Sequence, residues 1–147
     1  MTKGSYNSYK RKYSGTKYQI DHFPPNSSYK GTPYEKQLSY GQRPAFPLST
    51  RRHQFQRGRG GFGSHASSTG NTFVSKRWNA QLRNEMMKGN FYGAMKMDLV
   101  DKLNTIRGSK RIGIYKKHLL RGVKYARRQK LITKAQQHDL QFNYIEK

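Results

Sequence analysis

The chain has 147 residues, with 30 Lys and Arg against 7 Asp and Glu, a formal net charge of +23 and 33% apolar residues. That apolar share lies below the roughly 45 to 50% of ordinary globular proteins, so a core drawn from the whole length is not expected. Most cations have no acid of their own to pair with, which points to a polyanionic partner, and the absence of cysteine excludes disulfides, thiolate zinc sites and cysteine nucleophiles.

No apolar run approaches the roughly 18 residues of a membrane span. The opening MTKGSYNSYKRKYSG carries no apolar signal-peptide core, so an intracellular protein is expected, in nucleus or cytoplasm, or in a virion if the source is viral. From Met1 to about Gly70 the chain is built from Ser, Tyr, Lys, Gly, Pro and Arg with few aliphatics. Little is available there to offset the entropy of ordering, and a long disordered basic arm over 1–70 is the expectation.

Seven tyrosines, Tyr6, Tyr9, Tyr13, Tyr18, Tyr29, Tyr34 and Tyr40, are interleaved with cations in that arm. Such interleaving suits single-stranded nucleic acid, whose bases stack and whose phosphates need counter-charge. The alternative is a low-complexity linker in which the tyrosines do nothing specific. Five prolines between Pro24 and Pro47 forbid long helices and central strands. Phe23-Pro24-Pro25 and Phe46-Pro47-Leu48 are candidate docking points for a partner surface, since a residue before proline is held extended. Lys10-Arg11-Lys12 matches the core of a nuclear-localisation signal only as closely as so basic a composition allows by chance.

Arg51 to Gly63, RRHQFQRGRGGFG, combines open glycine backbone with forked guanidiniums at Arg51, Arg52, Arg57 and Arg59 and a stacking ring at Phe62. Over Arg57 to Gly63 it resembles the RGG boxes of RNA-binding proteins, a short compositional likeness. It serves equally as a hinge into the Ser/Gly-rich stretch that follows. No Gly-Lys-Ser/Thr follows and no apolar strand precedes it, which excludes a phosphate-binding P-loop.

From residue 72 the apolar residues recur at three and four residue intervals, so the fold class expected is all-α. A small module of about four helices, 72–147, would follow the arm. Ser75 is a candidate cap for a first helix to about Lys88, with Trp78, Leu82 and Met86 on one face and Gly89 as its stop. A second is expected from about Phe91 to Ile106, ended by Gly108. A third has its core between Ile114 and Gln129, and Gly122 within it points to a close approach. Thr133 and Gln136 form a capping box for a last helix to about Tyr144, with Ala135, Phe142 and Ile145 inward and Leu140 on the flank.

Around the third helix, Ile112, Tyr115, Leu119, Val123 and Ala126 share one arc, while Lys117, Arg121, Lys124 and Arg128 share the opposite one. With Lys110, Arg111 and Arg127 beside them, these cations form the candidate phosphate-binding ridge. The helix is too uniformly cationic for a typical major-groove reader, so phosphate contact is expected over base reading. His22, His53, His65, His118 and His138 show no metal-ligand spacing and are expected mostly at the surface. Asp98 and Asp101, flanked by Lys96 and Lys102, fit local charge balance better than a shared divalent ion. Met87 and Met97, if exposed, would mark a protein contact.

These observations point to a nonenzymatic nucleic-acid-binding protein with no cofactor. RNA or single-stranded DNA is favoured over sequence-specific duplex DNA. The alternative is a structural assembly protein, such as a capsid, nucleocapsid or ribonucleoprotein subunit, that forms homo-oligomers or larger assemblies. A third class, an anionic-lipid binder using the same helix, is disfavoured because its apolar face has few large residues.

Overall fold

The computed structural model describes residues 3–49 and 73–147, which are mostly helical. The expected arm departs from the structure over 3–49, where the chain forms two helices and a two-stranded sheet. Helix α1 spans Tyr6–Tyr13 and is capped by Ser5, whose side chain accepts from the Ser8 N–H. Strand β1, Tyr18–His22, pairs antiparallel with β2, Ala45–Ser49, in a register that sets Ile20 opposite Pro47 and His22 opposite Ala45. A proline is tolerated there because residues 4–6 meet the outer edge of β2 only as far as Ala45, leaving no described strand beside Pro47 to receive its missing N–H. Between the strands lie two 3-10 turns, Asn26–Tyr29 and Tyr40–Gln42, and the short helix α2, Pro33–Gln37, which Thr32 caps. The proline rule thus holds, in that no helix in this segment exceeds eight residues. The all-α expectation is corrected by the sheet.

Four further helices follow: α3, Phe73–Met87; α4, Phe91–Ile106; α5, Ile112–Arg128; and α6, Lys134–Leu140. Helix α3 begins two residues before Ser75 and so is not capped by it, whereas α4 has the expected bounds. The Thr133–Gln136 capping box is present, with both reciprocal bonds made. The last helix is corrected in phase. It gives way to a π-helical turn, Gln141–Ile145, in which the Glu146 N–H reaches the Gln141 carbonyl. That wider turn places Leu140 and Ile145, five residues apart, in the core and leaves Ala135 and Phe142 exposed.

One core joins the two segments. Phe23, Tyr29, Leu38, Phe46 and Leu48 pack with Leu82, Met86, Phe91, Leu99, Leu119 and Val123 in a single apolar cluster. The two Phe-Pro segments therefore do dock, and the surface they dock on is the chain's own helices. Gly122 shows why: a Cβ built there would lie 2.4 Å from Phe23 Cζ and 3.6 Å from the Ala45 carbonyl oxygen. Only a glycine lets the aromatic ring sit on the α5 backbone. Hydrogen bonds complete the seam, from Tyr125 Oη to the Gln42 carbonyl (2.6 Å), Arg128 to the Lys3 carbonyl (3.1 Å) and Arg83 to the Ser27 carbonyl (2.8 Å). Arg43 is turned inward as a staple, donating to the Leu38 and Glu35 carbonyls and to Asn26 Oδ1, with its guanidinium 4.3 Å from the Tyr29 ring centre.

Beneath this seam lies a buried ionic cluster. Lys102 Nζ sits 3.2 Å from Asp21 of β1 and 3.1 Å from Asp98 of α4, with the lysine and Asp98 side chains fully buried. The Trp78 indole N–H of α3 donates to Asp98 at 3.4 Å. Burial pushes the Asp98 carboxyl up to about 7, against the pull of Lys102. Local charge balance is thus borne out for Asp98 and Lys102, with Asp21 as a third member that spacing along the chain does not reveal.

Two histidines expected at the surface are buried instead. His22 stacks on Tyr6 with ring centres 4.8 Å apart, and its Nε2–H donates to the Tyr40 carbonyl at 3.0 Å. His118 meets Tyr9 edge to face at 5.3 Å. Burial lowers both to about 4; Arg43 and Lys102 add to this at His22, against Asp21, and Arg121, Lys12 and Lys117 add to it at His118. Below about pH 6.5 the unfolded chain takes up protons that these rings refuse, so their stabilisation is lost as the pH falls to about 4. Asp98 acts oppositely, because its raised value makes the folded state gain stability as pH falls from about 7. Urea unfolding at pH 7, 5.5 and 4.5 should therefore show a shallower acid loss in His22→Gln and a steeper one in Asp98→Asn than in the parent. Parallel curves for all three chains would contradict this assignment.

Candidate nucleic-acid interface

Helix α5 positions the cationic ridge. Tyr115, Leu119, Val123 and Ala126 are buried as its period predicts, and so are His118, Gly122 and Tyr125, which residues 3–49 cover. The buried arc is therefore wider than the sequence stripe. The remaining arc is occupied by cations: Lys117, Lys124, Arg127 and Arg128 are exposed, as are Lys110 and Arg111 just before the helix. From Lys117 to Arg128 the ridge runs about 16 Å along the axis.

The ridge is not uniform. Arg121 is half-buried at its edge, with Nη1 3.5 Å from His118 Nδ1, and Arg128 donates to the Lys3 carbonyl. Arg121 also hydrogen-bonds the Tyr9 side chain, so these two arginines hold Lys3 and Tyr9 against α5. Lys117, Lys124 and Arg127 make no ion pair among the described residues. Arg51, Arg52, Arg57, Arg59 and Phe62 lie outside the described residues.

The acids lie elsewhere. Asp21 and Asp98 are consumed by buried Lys102, Asp139 pairs with Lys96 at 3.3 Å, and Glu85 pairs with Lys88 at 3.9 Å. Four of the seven acids are thus committed away from the ridge, so its field is not cancelled locally. Beside it, a depression of about 360 Å³ between α5 and the last residues is lined by Lys116, Lys117 and Lys147 with one acid, Glu146.

The fold also brings to the ridge cations that sequence spacing did not group with it. The last turn of α1 exposes Lys10, Arg11 and Lys12, and Lys12 acts on buried His118 together with Lys117 and Arg121. Burial pushes Tyr9, which underlies this junction, up to about 12, against the pull of Arg121. Lys12, the last residue of the Lys-Arg-Lys triplet, therefore extends the α5 surface. Among the described residues, no group of three His, Asp or Glu side chains is arranged to hold a metal ion, and no helix is long and apolar enough to cross a membrane. Met87 is exposed and Met97 half-buried against the core. Comparison with protein-family models, with curated proteins and with solved structures finds no match to this chain.

Proposed function

We propose that the chain is a nonenzymatic nucleic-acid-binding protein that grips phosphates through α5 and the adjoining end of α1, with RNA or single strands favoured. The observation that carries this reading is the solvent arc of α5, where exposed Lys117, Lys124 and Arg127 have no carboxylate partner among the described residues. A folded chain with net charge +23 that places four of its seven acids on cations away from the ridge retains most of that field for an external polyanion. Arg51, Arg52, Arg57, Arg59 and Phe62, with their glycine-rich surroundings, would extend the contact by phosphate forks and stacking. Recovery and sequencing of copurifying nucleic acid, followed by titration of single-stranded RNA, single-stranded DNA and duplex DNA at matched salt, tests the reading. Tightest binding to single strands without strong sequence preference is expected. Absence of binding to all three at low salt would overturn it.

A second reading, a subunit that assembles with copies of itself on nucleic acid, draws on Met87 and Phe142, whose exposures of 53% and 55% are high for large apolar side chains. Light scattering with and without RNA separates the two. Growth in mass beyond one chain per binding site favours assembly.

A further inference from the structure

The tyrosines of residues 3–49 do not share one role. Tyr9 and Tyr29 are buried, whereas Tyr6, Tyr13 and Tyr18 are half-buried and meet at a groove of about 350 Å³ between α1 and β1, with Lys10, Ser14, Gly15, Gln19 and Ile20. Tyr13 and Tyr18 stand edge to face with ring centres 5.4 Å apart. Both rings also wall a second, smaller depression of about 60 Å³, backed by Arg111, Ile114 and His118.

Cations sit on these rings. Lys12 Nζ lies 5.5 Å from the Tyr13 ring centre and the Arg111 guanidinium 5.6 Å from that of Tyr18. No acid lines either depression. A half-open aromatic wall beside fixed positive charge matches a nucleotide part by part: the base has a face to stack and the phosphate needs a cation. The groove volume lies within the roughly 300 to 1,000 Å³ usual for small-molecule sites. Lys10 lines the groove itself, whereas Arg111, just before α5, lines the smaller depression on the other side of the shared Tyr13 and Tyr18 rings, so these rings link the groove to the start of the α5 ridge.

We propose that this groove holds an unpaired nucleotide of a single strand, its base against Tyr13 and Tyr18 and its phosphates toward Lys10, Lys12 and Arg111. The proposal rests on the nucleic-acid reading and adds to it a stacking site closed to bases inside a duplex, because each is stacked on a neighbour on both faces. The test compares the full chain with its Tyr13→Leu/Tyr18→Leu and Tyr13→Phe/Tyr18→Phe variants, on a short single-stranded RNA and a duplex of the same length. The Leu variant should bind the single strand about ten-fold more weakly with duplex affinity unchanged, while the Phe variant, which keeps the rings, stays near the parent. Equal losses on both RNAs, or no loss on either, overturn the site.

Ultraviolet crosslinking of the unaltered chain to single-stranded RNA gives a readout that does not depend on variant folding. Adducts on Tyr13 or Tyr18 are expected, and adducts confined to other residues overturn the proposal. A chain that binds neither RNA at low salt overturns the functional reading and this site with it, whereas binding with unaffected Leu variants overturns the site alone.

Discussion

Lys102→Met is expected to lower the unfolding free energy by about 3 to 5 kcal/mol, because it removes the cation from between two buried carboxylates. Lys102 and Asp98 are fully buried and Asp21 nearly so, so neither acid regains water when the lysine is lost. In urea the midpoint should fall by roughly 2 M for a domain of this size. Adding Asp98→Leu and Asp21→Asn to the same chain should restore much of the loss, since an apolar or neutral cluster carries no uncompensated charge. A Lys102→Met chain within about 1 kcal/mol of the parent would mean that residues 3–49 do not close over α4 as described.

Gly122→Ala carries the second large effect, and its sign is the informative part. Within an exposed helix interior, alanine in place of glycine stabilises by about 1 kcal/mol. At Gly122 the new methyl would overlap the buried Phe23 ring at 2.4 Å. Overpacking of this kind costs about 1 to 3 kcal/mol, so a net loss is expected, and Gly122→Leu should be worse. Gly113, in the same helix, has nothing within 4 Å of an added Cβ, so Gly113→Ala should raise the thermal midpoint while Gly122→Ala lowers it. Equal shifts of the same sign in both would show that Phe23 does not rest on α5.

The parts legible in the sequence are those with a local, periodic cause. The α5 stripe and ridge, the α4 bounds and the Thr133–Gln136 box all follow from neighbours three or four residues apart. What was missed depends on distant partners. Asp21 and Lys102 meet across 81 positions, and nothing local marks Lys102 for burial. The fold of 3–49 left one trace, since Tyr6, Tyr9 and Tyr13 share a helical spacing behind Ser5 and α1 forms there. A shortage of aliphatic residues hid it, because aromatic rings and a packed glycine supply the burial that leucines and isoleucines usually supply. The candidate site was legible in the same measure. Its ridge is periodic and visible, whereas the bonds of Arg121 to Tyr9 and of Arg128 to Lys3, and the approach of Lys12, depend on the tertiary seam.

That seam also decides which cations make a clean test. Arg121, bonded to Tyr9, and Arg128, bonded to Lys3, hold the amino-terminal segment as well as facing solvent, so their removal mixes stability with binding. Lys117, Lys124 and Arg127 are exposed and unpaired among the described residues. The measurement that bears most directly on the proposed function is the salt dependence of single-strand RNA affinity for the parent and for Lys117→Gln/Lys124→Gln/Arg127→Gln. Each phosphate contact contributes about 0.7 to the log–log slope on single strands, so a steep parent slope should become shallower by about 2 in the variant, with the thermal midpoint retained. An unchanged slope in a folded variant would contradict the ridge as the phosphate contact.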